Sequence, residues 1–216
     1  MIHGQRIKAV IFDLDGTLIQ SQIDFKTMRE QINLVLGRFS ILDKIRPNAY
    51  ILERIEFAVR KLGADSPVIG ELWSIVDKFE EQGMQEAYIE EEVPNTLKEL
   101  SNTRKLGVVT NNSESITNEV LVRFNIEKFF SIIVCRAKDR RPKPHPDNIL
   151  YSISKLRFKP ENTLYIGDNI LDSTAARNAN VYFIGYRLFH SDFPKIDAFN
   201  QIHDEIEKLE NKFMGK

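Results

Sequence analysis

The chain of 216 residues contains a single cysteine, Cys135, so no intrachain disulfide can form and the fold must rest on burial and hydrogen bonding. Long apolar runs are also missing. No uninterrupted stretch approaches the roughly 20 residues of a membrane-spanning helix, and the amino terminus, Met1 to Lys8, has no apolar signal core. These two absences predict a cytoplasmic protein, kept in a reducing compartment, with no membrane partner. Net charge is nearly absent as well. With 30 Lys and Arg against 31 Asp and Glu, the formal charge is −1. Such a chain has no global attraction for nucleic acid, and any selectivity for anions must be local. His3, His145, His190 and His203 show no metal-ligand spacing. Neither an internal repeat nor a low-complexity segment occurs. The length suffices for a substantial core plus a modest second unit.

Chemistry is concentrated where apolar runs stop. Lys8 to Leu18 reads K-A-V-I-F-D-L-D-G-T-L. Ala9 to Phe12 are apolar without alternation, as expected of a strand covered on both faces of a parallel sheet. Asp13 and Asp15 fall at its carboxyl end, where open α/β sheets bind ligands, and the chain then turns on Gly16. Two carboxylates there suit a hard cation such as Mg²⁺, and a nucleophile beside a proton carrier. Taken alone, the segment also fits an ordinary Asp-Gly turn.

Three later segments supply context. Thr110 ends the apolar run Leu106 to Val109, and Asn111, Asn112 and Ser113 lead into a helical pattern with Ile116, Val120, Leu121 and Phe124 on one face. A hydroxyl and backbone amides at a helix start can hold a phosphoryl group, although Ser113 equally suits a plain N-cap. Lys143 lies in R-R-P-K-P-H-P-D, a rigid loop after which Pro146 opens a helix bearing Ile149, Leu150, Ile153 and Leu156. A lysine pinned between prolines can place a point charge on a phosphate; the competing explanation is a solvated basic loop with Arg140 and Arg141. Thr163 to Ile166 ends in G-D-N-I-L-D. Gly167 permits a tight exit there. Asp168 and Asp172 bring two more carboxylates to a strand end, Asp172 also being able to serve as a helix-dipole partner.

In this order, D-L-D-G-T, T-N-N, K-P and G-D-N-x-x-D resemble the haloacid dehalogenase-like (HAD) hydrolase superfamily, specifically its small phosphatases of the phosphoglycolate phosphatase type. The resemblance spans Asp13 to Asp172. It implies an α/β fold, a Rossmann-like parallel sheet core with helices on both faces and an inserted α-helical cap. It also implies an aspartyl-phosphate intermediate and a small phosphorylated metabolite as substrate. Asp13 is the implied nucleophile and Asp15 the general acid and base. Thr110, Asn111 and Lys143 are the implied phosphate binders. Mg²⁺ is implied on Asp13, the backbone carbonyl of Asp15, and Asp168, supported by Gly167, Asn169 and Asp172. Asn169 departs from the small hydroxyl residue the family often has there. Asp15 argues against a dehalogenase, since displacing a halide needs no leaving-group protonation. A phosphomutase of the same fold and a catalytically idle HAD-fold binding protein stay as alternatives, the latter expected to have lost one of Asp13, Asp15, Lys143 or Asp168. Monomer and homodimer are both compatible.

Strands are expected at Ile7 to Phe12, Leu106 to Val109, Ile132 to Cys135, Thr163 to Ile166 and Val181 to Ile184, with helices between the later ones. Between Leu18 and Val93 the pattern is helical instead. Asp24 to Phe39 carries Phe25, Met28, Ile32 and Val35; Pro47 opens a helix with Ile51, Ile55 and Val59 that stops at Gly63; Val68 to Met84 adds Leu72, Trp73, Val76 and Phe79. This divides the chain into a catalytic core of residues 1–18 and 93–216 and a helical insert of residues 19–92, placed where the resemblance puts a cap that excludes water and reads the leaving group. Trp73 is expected in the insert's core. Arg54, Arg60 and Lys61 are expected on solvated helix faces rather than on a substrate carboxylate, and Glu90 to Glu92 on a solvated hinge edge. Asp197 to Phe213 reads as a terminal helix with Ile202, Ile206 and Leu209 inward.

Overall fold

The computed structural model describes residues 7–188 and 192–214. His3 and His190 lie outside the described residues. In chain order the elements are β1 (Ala9–Phe12), α1 (Phe25–Arg38), α2 (Ile51–Leu62), α3 (Pro67–Gln85), α4 (Glu92–Ser101), β2 (Lys105–Val109), α5 (Glu114–Arg123), β3 (Phe130–Val134), α6 (Asp147–Leu156), β4 (Thr163–Gly167), α7 (Ile170–Asn178), β5 (Tyr182–Tyr186), β6 (Lys195–Ile196) and α8 (Ile202–Met214). The strands form one sheet in the order β3-β2-β1-β4-β5-β6, and every pairing is parallel. β1 is thus central, with β2 on one side and β4 on the other, and the strand order reverses beside it.

Alternation along β1 explains the two covered faces. Ile11 joins Val109, Val134, Tyr165 and Phe183 under Ile149 and Ile153 of α6 and Ala175 and Ala176 of α7. Phe12 points the other way, stacking on Phe199 with ring centroids 5.7 Å apart and meeting Phe130 edge-on at 6.4 Å. All four β1 residues are buried, as their unbroken apolar run requires. On α6 the inward face is Asn148, Ile149, Ser152 and Ile153, while Leu150, expected inward, is 41% exposed. β6, with two residues, is too short to leave an alternation signal.

In the run Glu90 to Glu92, Glu91 is exposed as its charge suggests, but its two neighbours are not simply solvated. Glu90 accepts from the Tyr186 hydroxyl at 3.0 Å and takes a two-pronged ion pair from Arg187, and Glu92 accepts from the Phe199 amide at 2.7 Å. Tyr186 and Arg187 end the β5 segment far away in sequence, so no local pattern reveals these partners.

The chain divides into two compact units. One consists of the residues up to Gln20 and from Tyr88 onward, the other of Ser21–Ala87. The division falls at Gln20 and Tyr88 rather than at residues 18 and 93 because those two residues exchange backbone hydrogen bonds of 2.9 and 3.0 Å, an antiparallel bridge that extends the core unit. Ser21–Ala87 holds α1, α2 and α3 around Met28, Ile32, Leu36, Ile55, Leu72 and Val76, with Trp73 packed partly buried against them. Phe25, expected inward, is 52% exposed.

Arg54 corrects a further expectation. It is buried instead of solvated, donating to the Ala49 carbonyl at 3.1 Å, the Asn33 carboxamide at 3.1 Å and the Pro47 carbonyl at 2.6 Å. The guanidinium thereby holds residues 47–49 outside the helix, and α2 starts at Ile51 rather than near Pro47. Arg54→Ala leaves three acceptors and a void, and is expected to cost about 2–4 kcal/mol of stability in urea denaturation. Loss of under about 1 kcal/mol would show the guanidinium to be dispensable.

Candidate active site

Each element ends where chemistry is needed. The Asp13 amide donates to the Ile166 carbonyl at 2.8 Å, fixing the end of β1 against the end of β4, and the Thr110 amide donates to the Val134 carbonyl at 3.0 Å at the end of β2. Asp13, Asp168 and Asp172 then converge so closely that one carboxylate oxygen from each lies within 4.8 Å of the others. Two glycines make room. Gly16 sits at φ +84°, and a Cβ there would fall 2.4 Å from an Asp168 carboxylate oxygen; a Cβ on Gly167 would fall 2.4 Å from the Asp172 carboxyl carbon. Asp168 accepts from the Thr17 hydroxyl at 3.3 Å and the Asn169 carboxamide at 3.2 Å.

Lys143 enters this group from the proline-rich loop. Its ammonium lies 2.6 Å from Asp13 Oδ1, 2.6 Å from Asp172 Oδ1 and 3.1 Å from the Tyr165 hydroxyl. The loop is held by Asn111, whose side chain accepts from the Lys143 amide at 2.9 Å and donates to the Lys143 carbonyl at 3.1 Å. The Asn111 side chain thus braces Lys143 through both its oxygen and its nitrogen. Thr110 is buried, and its hydroxyl oxygen accepts from the Asn112 amide at 3.1 Å while retaining a proton to donate. Asn169 caps α7 by accepting from the Leu171 and Asp172 amides, and Asp172 Oδ2 accepts from the Asn169 amide at 3.2 Å. Asp172 thus caps a helix with one oxygen and holds Lys143 with the other.

The electrostatics follow from three carboxylates and one ammonium sharing a buried volume. Burial first, and then the Asp172 charge, hold the Asp13 carboxyl well above the usual carboxylate range against the opposing pull of Lys143. Burial and Asp172 likewise push Asp168 up to about 7, with Asp15 adding to the repulsion. Burial alone would lower Lys143, but Asp13 and Asp172 outweigh it and raise the ammonium above its ordinary value. With three carboxylates against one ammonium, the ionised cluster is two positive charges short of balance. Hard oxygen donors in that state fit a divalent cation such as Mg²⁺.

A parallel sheet carrying this carboxylate and lysine group at its switch point matches known proteins over most of the chain. The family model described as haloacid dehalogenase-like hydrolase covers residues 10–186. The chain belongs to the haloacid dehalogenase-like hydrolases. This hydrolase is 28% identical over 225 residues to a phosphoglycolate phosphatase of Aquifex aeolicus, covering 95% of this chain and 98% of the relative. It is 26% identical over 181 residues to the N-acetylmuramic acid 6-phosphate phosphatase of Pseudomonas aeruginosa, covering 81% and 79%. A HAD-superfamily hydrolase of subfamily IA from Geobacter sulfurreducens, solved by crystallography, superimposes with a TM-score of 0.63 at 25% identity, over 94% of this chain and 98% of that one.

Of the residues singled out in the hydrolase's sequence, Asp13, Lys143, Asp168 and Asp172 meet in one cluster, with Gly167 and Asn169 directly against it. Asp15 lies one turn beyond β1, where it bridges to Ile19. Tyr165 is a residue that sequence reasoning passed over. On β4 it reads as one more apolar strand position, yet its hydroxyl lies 3.1 Å from both Lys143 and Asp172. A hydroxyl-bearing residue two before the G-D pair, on the same pleat side as Gly167, was the available signal. Among the described residues no helix is long and apolar enough to cross a membrane.

Proposed function

We propose that this hydrolase is a Mg²⁺-dependent phosphatase that removes the phosphoryl group from a small phosphorylated metabolite through an aspartyl-phosphate on Asp13. The observation that carries the reading is the buried meeting of Asp13, Asp168 and Asp172 with Lys143 in a cluster short of positive charge. A phosphate monoester repels an anionic nucleophile, so cationic groups must offset that repulsion. Asp13, Asp168 and the backbone carbonyl of Asp15 would hold Mg²⁺, which when bound supplies the missing charge.

Asp13 attacks phosphorus in line, forming an acyl phosphate as the ester oxygen departs, and Asp15 gives that oxygen its proton. Asp15 then takes a proton from the water that attacks the same phosphorus, releasing inorganic phosphate and restoring Asp13. Lys143 and Thr110 donate to the phosphoryl oxygens, and Asn111 keeps Lys143 in place. The phosphatase names of the Aquifex and Pseudomonas relatives support a phosphorylated small molecule as substrate. Purified protein is expected to release phosphate from members of a phosphorylated-metabolite panel in Mg²⁺ and to lose at least about nine-tenths of that rate in excess chelator. Undiminished turnover with the chelator would remove the cation from the reading.

A further inference from the structure

We propose that the Tyr165 hydroxyl is a placeholder for the substrate's phosphoryl group on Lys143, filling one hydrogen-bonding direction of the ammonium and giving it up to a phosphoryl oxygen on binding. The inference rests on Lys143 being a phosphoryl binder. An ammonium has three donors and no more. Here all three are taken, by Asp13 at 2.6 Å, Asp172 at 2.6 Å and Tyr165 at 3.1 Å, with the lysine side chain 3% exposed. For Lys143 to donate to a phosphoryl oxygen, one of these must be exchanged. Charge-assisted bonds are shorter and about twice as strong as bonds to a neutral group, and both carboxylate contacts are of that kind. The hydroxyl is the long, neutral partner and the one released first.

Tyr165 has other partners to fall back on. Its hydroxyl lies 3.2 Å from the Val109 carbonyl and 3.1 Å from Asp172 Oδ1, so its proton stays satisfied whether or not Lys143 remains. The exchange therefore strands no buried donor on either side. Tyr165 also stacks on Phe183, with ring centroids 6.4 Å apart, which keeps the ring in place while its hydroxyl changes partner. In this scheme Tyr165 is a positioning residue. It keeps the ammonium aligned and satisfied between turnovers and competes with the product phosphate for the same donor.

Isothermal titration of inorganic phosphate into the Mg²⁺-loaded protein tests this with three chains: wild type, Tyr165→Phe and Lys143→Met. Tyr165→Phe keeps the ring and removes the competitor, so its phosphate Kd is expected to fall about 2- to 12-fold. A Tyr165 of merely structural role would lower the melting temperature without tightening phosphate. An unchanged or weaker Kd in Tyr165→Phe overturns the inference. Lys143→Met is expected to weaken phosphate by about tenfold or more. If Lys143→Met binds phosphate like the wild type, the phosphoryl-binding role of Lys143 fails and the placeholder with it. If it weakens phosphate while Tyr165→Phe tightens nothing, only the placeholder fails. Should Tyr165→Phe not fold, the wild-type crystal structure with Mg²⁺ and phosphate decides. Separation of Lys143 Nζ and the Tyr165 oxygen beyond about 3.5 Å, with a phosphate oxygen in between, supports the exchange, and a retained bond overturns it.

Discussion

Asp13→Asn is expected to lower the steady-state rate on nitrophenyl phosphate by at least about a thousandfold, because it replaces the carboxylate that the proposed mechanism uses to attack phosphorus with a non-nucleophilic amide. The loss should not reflect unfolding. The wild-type carboxyl is buried, crowded by Asp172 and Asp168, and held well above the usual carboxylate range, so its charge is a burden to the metal-free fold. An amide has nearly the same shape, relieves that repulsion, and keeps an oxygen that can accept from Lys143, which also retains Asp172. Thermal melting in chelator is therefore expected to place Asp13→Asn at or above the wild type. A variant that melts normally yet keeps a tenth or more of the wild-type rate would show that the nucleophile is some other group.

What the sequence reveals of this site depends on whether a residue acts through its own strand or through a distant partner. β1, β2 and β4 announce themselves because a strand buried on both faces must be an unbroken apolar run, and the first polar residue after it marks the ligand-binding edge. Asp13, Thr110 and Asp168 are found by that rule alone. Asp172 is legible as a helix-start carboxylate, but its bond to Lys143 spans 29 positions and is not. Tyr165 is hidden for the same reason, 22 positions from Lys143, inside a run whose neighbours make it look like core. Arg54 and Glu90 mislead in the opposite direction. Composition places charged residues at the surface, whereas each is drawn inward by acceptors or donors that only the tertiary fold assembles: three acceptors around Arg54, and Tyr186 and Arg187 around Glu90. Asn111 shows an intermediate case, since the loop was recognisable but the use of its side chain to hold Lys143 was not.

Asp15→Asn should separate the two half-reactions, with an effect that depends on the leaving group. An alkoxide is a poor leaving group and must be protonated as it departs, so phosphoryl transfer from an alkyl phosphate is expected to slow by about a hundred- to ten-thousandfold, the usual contribution of a general acid. Nitrophenolate leaves without help, and the same step with nitrophenyl phosphate should be far less affected. Hydrolysis of the aspartyl-phosphate still needs a base for its water. In Asp15→Asn the second step therefore becomes limiting on nitrophenyl phosphate, and rapid mixing should show a burst of about one equivalent of nitrophenolate per protein, followed by slow turnover. Asp15 follows Asp13 by two residues and bridges to Ile19, and the next residue, Gly16, backs onto Asp168, whose carboxyl the Asp15 charge also pushes upward. If single-turnover phosphorylation falls equally for leaving groups of widely different acidity, Asp15 does not protonate the departing oxygen; if no burst appears, it does not activate the water either.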